Sequence, residues 1–553
     1  MPQSDVRPWI GHALLAAILL AALALRVDGV GFGLPALNDP DEPLFLATAF
    51  EMLRTGSLNP GWFGHPGTTT LYALALIMLA VGGLGLATGR FANADAFAAA
   101  VYADPGLLVL PARLFIVLCG VACVWLTYRI GKRLGGVRVG LVAAAMLAVN
   151  AVHIEYSQII RTDIQASLFM LFGAMSALAI ADAGRRRDYI LAGIFTGLAC
   201  ATKWPAATIG LTVVYAYVHR ARQGKGRGRD VALFAFVAAA TLFLVSPYLL
   251  LDQAAVLKNL SGEARPLHPG ATGGGLIGNL GWYVTGPLLS SMGIGALLLA
   301  ALGLVWGAGK DRRWALVILP FCMVFLLLIA AQSLRWERWI IPLLPFAAIA
   351  AARALCSLVE LSPAIGRHRL VLPAATLLLL APMLATARIE ATERRHDTRQ
   401  IASAWLREHV PAGSSVLIEH AGFDLLAARW RLRFPLGSAG CVDVDDMLGG
   451  RMGYSEVEDR RRGAAIVDIG HVDLARLDSC RADFIVVSNR LRYRADPLAY
   501  RDELRRYDRL IGTGTLRLTI RPEAGRSSGP EVQIFEPTPS PPPPADSDPD
   551  DRT

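Results

Sequence analysis

Long apolar runs constrain the fold of this chain more than any other feature. A run of about 18 or more apolar residues is a candidate transmembrane helix, because roughly 20 helical residues cross the hydrocarbon core of a bilayer. Such runs recur from Trp9 to about Ala387 and then stop. The first lacks the small-residue cleavage site of a signal peptide and is followed by further runs, so we expect it to be retained. The sequence therefore predicts a polytopic α-helical membrane protein.

The basic residues separate the loops into two classes. Cytoplasmic loops of bacterial membrane proteins carry an excess of Lys and Arg. The short basic loops are 129–138, 184–188, 219–230, 308–313 and 360–369. The loops poor in Lys and Arg are 28–107, 153–163, 251–285 and 332–338, with the turn at Lys203. Alternation predicts about eleven spans, with the amino terminus inside and the carboxyl-terminal region outside. This distribution also explains the net charge of +9, so the charge does not indicate a protein that binds nucleic acid.

One apolar run does not fit this alternation. The run from Thr68 to Gly89 is long enough to cross, but a crossing would reverse the side of every later loop. It contains Gly82, Gly83 and Gly85, which can divide it into two short helices. We expect a helix pair in the outer membrane interface, with a crossing as the alternative.

The composition predicts three regions. Residues 1–387 form the membrane domain, and residues 388–536 form a small extracytoplasmic α/β domain. The Pro- and Asp-rich stretch 537–553 is predicted to be disordered. Cys441 and Cys480 can form a disulfide if their domain faces an oxidising compartment.

Alternating patterns in the second region predict its elements. A helix is expected near 398–409, and strands are expected near 415–419, 483–488, 515–520 and 531–535. The pattern contains neither a nucleophile nor a metal-ligand constellation, so we expect the chemistry to lie in the membrane domain.

Three carboxylates in the first outer loop are candidates for that chemistry. Asp39, Asp41 and Glu42 lie within four residues, and like charges this close raise one another's pKa. One of them can therefore serve as a general base, alone or beside a divalent ion. The alternative is an ordinary solvated turn, since Pro40 and Pro43 favour turns.

Further polar residues are predicted to lie on the same side of the membrane. Tyr156, Arg161 and Asp163 occupy the next outer loop. The outer cations are candidates for binding a lipid phosphate, and they are Lys203, Arg335 and Arg338. The alternatives are that Arg335 pairs with Glu337 or that these charges anchor at lipid head groups. His65 is a further candidate, although a lone histidine is more often structural. A glycine-rich loop at 268–278 can form a lid.

These motifs, in this order, resemble those of bacterial protein O-mannosyltransferases, which belong to the glycosyltransferase C superfamily. The aminoarabinose transferases of lipid A are close relatives of that group. The resemblance is carried by Asp41-Glu42, His65-Pro66-Gly67, Arg129…Arg138, Tyr156…Arg161-Thr162-Asp163, Lys203 and Arg335-Trp336-Glu337-Arg338. It covers most of 1–387, and each motif is short, so their joint order provides the specificity.

The resemblance implies a glycosyltransferase that uses a sugar carried on a polyprenyl phosphate. By analogy, Asp41 or Glu42 would be the base, and Asp163 would be the second acidic group. Lys203, with Arg335 or Arg338, would hold the donor phosphate, and direct displacement would invert the anomeric carbon. No metal or other cofactor is expected. His65 stands where the family often has a lysine.

Residues near the reacting groups are also expected to contact substrate, namely Asp39, His65, Tyr156 and Arg161. The acceptor is a lipid, a glycan or a protein, and the site is predicted to face the periplasm or exterior of a bacterial inner membrane. The main alternative is a transporter or lipid flippase. Such proteins place charges near the bilayer midplane, whereas here the charges cluster at predicted span ends, which favours chemistry at the surface.

Overall fold

The computed structural model of the protein describes residues 7–64, 66–263, 266–361, 370–419, 423–425, 429–444, 468–512 and 514–537. The chain folds as two compact units, Met1–Arg395 and His396–Thr553. The division falls after the predicted boundary at 387, because the last apolar helix continues through a polar turn to Arg395. The predicted disordered stretch lies, apart from residue 537, outside the described residues.

The regular elements of the first unit, among its described residues, are helices. Its α-helices are α1 Pro8–Val27, α2 Asp41–Thr55, α3 Thr68–Ala87, α4 Ala94–Ala103, α5 Gly106–Ala148, α6 Ala151–Ser157, α7 Thr162–Asp182, α8 Arg186–Thr202, α9 Gly210–Ala221, α10 Gly228–Val245, α11 Tyr248–Leu251, α12 Gln253–Glu263, α13 Gly275–Tyr283, α14 Leu289–Lys310, α15 Leu319–Ala330, α16 Leu344–Leu361 and α17 Val371–Arg395. The 3₁₀ segments Trp204–Ile209 and Glu337–Leu343 precede α9 and α16. The π-helical segments Val284–Leu288 and Trp314–Ile318 precede α14 and α15.

Eight helices among the described residues are long and apolar enough to cross a membrane. They are Pro8–Val27, Thr68–Ala87, Gly106–Ala148, Thr162–Asp182, Gly228–Val245, Gly275–Gly307, Glu337–Leu361 and Val371–Arg395. Helix α5 spans 43 residues but changes direction at Gly136, whose φ of 85° lies outside the helical region. The predicted polytopic helical fold is thus confirmed, whereas the count of about eleven spans stays a prediction.

The predicted helix pair at 68–89 is wrong, because α3 is one continuous helix. Its glycines serve close packing instead of breaking the helix. A Cβ atom on Gly82 would lie 2.9 Å from the ring of Phe97, and one on Gly85 would lie 2.2 Å from the ring of Phe91. The missing side chains therefore let the two aromatic rings pack directly against α3.

The enclosed helices of the first unit lead to the candidate site. The segments Thr162–Asp182 and Glu337–Leu361 are the most enclosed of the eight long apolar helices, whereas Gly228–Val245 and Val371–Arg395 are among the most exposed. Asp163 lies in the first turn of α7, and Arg338 lies in the 3₁₀ turn before α16. Tightly packed helices therefore support these two charged side chains.

The second unit contains a mixed sheet of six strands. The strands are β1 Ser415–Ile418, β2 Arg431–Pro435, β3 Cys441–Asp443, β4 Phe484–Val487, β5 Thr515–Ile520 and β6 Val532–Glu536. Their order is β3-β2-β1-β4-β6-β5. Strand β1 pairs in parallel with β2 and β4, and the other pairs are antiparallel. The α-helices of this unit are α18 Thr398–His409, α19 Arg490–Arg494 and α20 Arg501–Ile511.

This sheet confirms the predicted α/β domain, including the helix and all four predicted strands. The sequence prediction missed β2 and β3. Strand β2 contains two arginines and ends in proline, so it lacks the apolar alternation of a typical strand. Cys441 at the start of β3 forms the predicted disulfide with Cys480.

A buried carboxylate lies at the carboxyl ends of two parallel strands. Glu419 follows β1, and its carboxylate accepts hydrogen bonds from the backbone N–H groups of Ser488 (2.6 Å) and Asn489 (3.1 Å). The hydroxyl of Tyr507 donates to the same carboxylate. Asp468 is also buried and lies close enough to Glu419 to repel its charge. This network therefore joins the ends of β1 and β4 to α20.

We expect the second unit to be more stable in acid than in alkali. Burial and the charge of Asp468 raise the pKa of Glu419 to about 7. The hydrogen bonds from Tyr507 and two backbone amides lower this pKa, but by less. Burial lowers the pKa of His471, but the hydrogen bond between His471 and Asp468 outweighs burial, so the pKa is raised. Asp468 also accepts a hydrogen bond from the hydroxyl of Tyr493. A group whose pKa is higher in the folded state than in the unfolded state stabilises the fold in full at pH values below its unfolded-state pKa. This stabilisation is lost as the pH rises through the folded-state pKa.

The corresponding measurement is hydrogen exchange of the β1 and β4 amides in the full chain between pH 4.5 and 8, corrected for the intrinsic exchange rate. We expect the opening free energy to fall across this range by about 3 kcal/mol. The change Glu419→Gln should flatten the profile, whereas the exposed control Glu408→Gln should leave it unchanged. A native profile that rises with pH would contradict the prediction.

Candidate active site

Arg161 joins two carboxylates of the first outer loop. It is the N-cap residue of α7, and its guanidinium donates to Asp39 at 2.8 Å and also pairs with Asp41. The backbone N–H of Asp41 donates to the Asp39 carboxylate at 3.0 Å. The side chain of Asp41 is 32% exposed and that of Asp39 is 12% exposed. Asp41 is therefore held in place but remains open on one side.

Glu42 has a different environment from Asp41, although the two are adjacent in the chain. Arg113 of α5 donates to both Glu42 oxygens, at 2.8 Å and 2.6 Å, and both side chains are fully buried. The backbone N–H of Ile160 donates to the same carboxylate at 3.0 Å. Arg113 also donates to the carbonyls of Val30 and Phe32. Glu42 therefore links α2 to α5 and to the segment that leads into α7.

Asp163 forms a second charged group with two cations. Lys203 follows α8, and its ammonium donates to Asp163 Oδ1. Arg338 Nε lies 4.0 Å from Asp163 Oδ2. All three side chains are largely buried. The structure thus brings together one predicted acidic residue and two predicted phosphate-binding residues.

Aromatic rings hold the arginines of this second group. The guanidinium of Arg335 lies 5.0 Å from the ring centroid of Trp282, and that of Arg338 lies 4.6 Å from the Trp336 ring. His268 packs edge-on against Trp336 with ring centroids 4.9 Å apart. Aromatic faces attract cations without neutralising their charge, so both guanidinium groups retain donors for an anion.

The glycine-rich loop is bound to the site in this structure. Gly273 donates its N–H to the Ser333 carbonyl at 2.7 Å, and Arg335 donates its N–H to the Ala271 carbonyl at 2.8 Å. The Asn279 side chain donates to the carbonyls of Ala330 and Gln332, and it accepts from Gly274 N–H. These bonds place the loop beside the arginines, and its predicted opening as a lid stays a prediction.

The two charged groups have opposite electrostatic character. Around Arg161, one cation faces two carboxylates, so that end of the site is net negative. Around Asp163, two cations face one carboxylate, and Arg335 has no ion pair with any carboxylate among the described residues. The site therefore combines a carboxylate end suited to accept a proton with a cationic end suited to bind an anion.

The remaining predicted residues differ in position. Tyr156 is half-buried and lies within electrostatic range of Arg161 and Arg338. His65 lies outside the described residues, but Gly67 donates its N–H to the carbonyl of Thr202, which directly precedes Lys203. The end of the first outer loop therefore reaches the cationic group.

Two charged side chains near the site were missed from the sequence. Arg113 lies in an apolar run, where a lone arginine is itself a sign of a buried carboxylate partner. Arg394 lies near the end of α17 and contacts Glu155 at 3.5 Å. His153, in contrast, contacts Arg26, with 2.9 Å between its Nδ1 atom and a guanidinium nitrogen.

No group of three or more His, Cys, Asp or Glu side chains among the described residues is arranged to hold a metal ion. The expectation that the protein uses no metal stays a prediction.

Comparison of the sequence with protein families finds one match in the membrane unit. The model of the family described as dolichyl-phosphate-mannose-protein mannosyltransferase matches residues 94–250. This segment contains Tyr156, Arg161, Asp163 and Lys203. No curated protein sequence matches the chain significantly.

The fold of the chain matches that of solved membrane proteins over nearly its whole length. ArnT from Cupriavidus metallidurans in the apo state has a TM-score of 0.54 at 15% identity, over 96% of this chain and 99% of that chain. ArnT bound to undecaprenyl phosphate gives 0.53 at 14% identity, over 97% and 100%. The oligosaccharyltransferase AglB from Archaeoglobus fulgidus, in complex with an inhibitory peptide and a dolichol-phosphate, gives 0.52 at 12% identity, over 92% and 73%.

The family match over residues 94–250 and the fold shared with ArnT confirm the predicted resemblance to protein O-mannosyltransferases and aminoarabinose transferases. The chain has the fold of ArnT and AglB, with a helical membrane unit followed by a unit that contains a small sheet. It is a multi-pass membrane protein.

Proposed function

We propose that this protein is a membrane glycosyltransferase that moves a sugar from a polyprenyl-phosphate donor to an acceptor at the outer membrane face. The single observation that carries the proposal is that Arg161, which pairs with the partly exposed Asp41, lies within electrostatic range of the Lys203–Asp163 pair. ArnT and AglB, whose fold this chain shares, have been solved with undecaprenyl phosphate and with a dolichol-phosphate. A lipid-phosphate donor is the ligand that suits the cationic end.

Asp41 is the proposed base. An acceptor hydroxyl gives its proton to the Asp41 carboxylate, and the resulting oxygen attacks the anomeric carbon of the donor. The bond between that carbon and the phosphate oxygen breaks, the lipid phosphate leaves with the electron pair, and the configuration of the carbon inverts. Lys203, Arg335 and Arg338 neutralise the charge that develops on the leaving phosphate.

Other acidic residues have supporting roles in this proposal. Glu42 is a positioning residue, because both of its oxygens are engaged by Arg113 in a fully buried pair. Asp163 keeps Lys203 and Arg338 in place, and Asp39 shares Arg161 with the base. Tyr156 and the predicted residue His65 are assigned to substrate contacts.

The experiment compares membrane vesicles that contain the native chain with vesicles that lack it. A radiolabelled sugar on a polyprenyl phosphate is supplied, and covalently labelled acceptor is measured after separation from the donor. We expect label to move to acceptor only with the native chain. Label that crosses the bilayer without becoming attached to an acceptor would instead support a transporter or flippase and would overturn the proposal.

The proposed location is the bacterial inner membrane, with the site and the second unit on the periplasmic side. The disulfide between Cys441 and Cys480 supports this orientation, since disulfides persist in oxidising compartments. We expect these two cysteines to resist alkylation in intact cells unless a reductant is added. In cells that lack the periplasmic oxidation system both should become alkylated, and modification in untreated normal cells would argue against the orientation.

A further inference from the structure

Tyr283, at the end of α13, is buried at the cationic end of the site. Its side chain is fully buried, and its hydroxyl has no hydrogen-bond partner among the described residues. A buried polar group without a partner is costly, so such a group in a folded protein calls for an explanation. The sequence prediction gave Tyr283 no role, because it lies at the apolar end of the predicted loop 251–285 and belongs to no motif.

The surroundings of this hydroxyl are cationic. Arg335 and Arg338 lie within electrostatic range of Tyr283. The backbone N–H of Trp336 faces the hydroxyl oxygen without completing a hydrogen bond, so the O–H proton has no acceptor among the described residues. Trp282, the preceding residue, packs edge-on against Tyr283 with ring centroids 5.1 Å apart and carries the Arg335 guanidinium on its ring. Two adjacent residues of α13 therefore contribute to the cationic region: Trp282 supports the guanidinium of Arg335, and Tyr283 directs its hydroxyl toward the same region.

Among the described residues, no carboxylate lies closer than 4.0 Å to the guanidinium of Arg335 or Arg338. Arg335 lies over an aromatic ring, and Arg338 approaches its carboxylate partner Asp163 only at 4.0 Å. The two guanidinium groups and the hydroxyl together offer N–H and O–H hydrogen-bond donors, and none of the three groups carries a negative charge. The ligand that satisfies them is an anion with several acceptor oxygens, which is the chemistry of a phosphate group.

We propose that the Tyr283 hydroxyl donates a hydrogen bond to the phosphate of the lipid-linked donor, beside Arg335 and Arg338, and so positions the donor for transfer. This inference rests on the proposed function and adds a neutral positioning residue to its cationic end. The hydroxyl has no charge to neutralise, so its contribution is the direction of one hydrogen bond. A group placed in this way fixes the orientation of the phosphate relative to the anomeric carbon.

The test is binding of undecaprenyl phosphate to the purified full-length chain, followed by tryptophan fluorescence, since Trp282 and Trp336 support the cationic group. Undecaprenol, which has the same chain without the phosphate, serves as the matched ligand. The variant Tyr283→Phe removes only the hydroxyl. The control Tyr189→Phe removes a hydroxyl from another buried tyrosine, on α8.

We expect Tyr283→Phe to weaken undecaprenyl phosphate binding by about 10- to 100-fold and to leave undecaprenol binding unchanged. Tyr189→Phe should match the native chain with both ligands. Thermal unfolding of both variants should stay near that of the native chain. A merely structural role for the hydroxyl would weaken binding of both ligands together and would overturn the inference.

Two further outcomes separate this inference from the proposed function. If the native chain binds undecaprenyl phosphate and Tyr283→Phe binds it equally well, the hydroxyl does not contact the phosphate and only the inference fails. If the native chain binds undecaprenyl phosphate no better than undecaprenol, the lipid-phosphate donor itself is refuted, and both fail.

Discussion

Replacement of Asp41 by asparagine is expected to lower the rate of sugar transfer by about a thousandfold, within the range typical of a lost general base. Asparagine has nearly the same shape as aspartate but cannot accept the acceptor's proton at neutral pH. The side chain is partly exposed, and Arg161 keeps Asp39 as its other partner, so the fold should be preserved. The measurement is initial transfer rate at matched amounts of folded chain, with thermal unfolding recorded for each variant.

Two neighbouring substitutions serve as controls for this prediction. Glu51→Gln changes a half-exposed carboxylate on the same helix, α2, where it pairs with Arg54, and should leave the rate unchanged. Asp39→Asn keeps the Asp41 base but weakens its anchor on Arg161, so we expect about a tenfold loss. A rate for Asp41→Asn within threefold of the native rate would remove Asp41 from the proposed mechanism.

The outer polar motifs could be predicted from the sequence because charged residues stand out against apolar runs. Arg161 lies far along the chain from Asp39 and Asp41, yet the structure joins it to both, as expected if the two loops lie on one face of the membrane. Lys203 and Asp163 were likewise predicted as separate candidates and form one ion pair. Charge pattern and predicted topology were therefore enough to identify most of the charged side chains that the structure brings together.

The division of roles within the site could not be predicted in this way. Asp41 and Glu42 are adjacent and chemically alike, so the sequence left either one as the base. The difference arises from the helical turn of α2, which directs Glu42 toward Arg113 while Asp41 faces Arg161. Tyr283 was missed for another reason: it lies among apolar residues at the end of the predicted loop 251–285, where a tyrosine ring is normally interpreted as packing.

Irregular geometry limited the prediction elsewhere. The glycines of α3 suggested a broken helix, but they accommodate Phe91 and Phe97, which lie close to α3 only in the folded chain. In the second unit, β2 was missed because its sequence has a weak strand pattern. It forms a strand in the structure because it pairs with β1. Local pattern thus identified the regular elements, whereas packing between elements decided these cases.

The largest effect on stability is expected at the buried pair of Glu42 and Arg113. Glu42→Gln leaves the Arg113 charge without a carboxylate in a fully buried position, which costs about 3–5 kcal/mol in comparable pairs. Arg113→Met leaves the Glu42 charge unpaired in the same way. Removing both charges in the double variant should cost clearly less than the sum of the two single changes. The measurement is the folded fraction of detergent-solubilised chain after heating, compared across all four corners of the cycle.

The same cycle decides whether Glu42 positions the site or serves as the base. If Glu42 acts only through its link to α5, then Glu42→Gln and Arg113→Met should lower transfer per folded molecule to a similar extent, because each loosens α2 and therefore Asp41. If Glu42 were the base, Glu42→Gln would abolish transfer while Arg113→Met retained much more of it. An inactive Glu42→Gln variant with native stability, beside an active Arg113→Met variant, would thus assign the base to Glu42. We expect the opposite pattern, because both Glu42 oxygens already accept hydrogen bonds from Arg113 and the pair is closed to solvent.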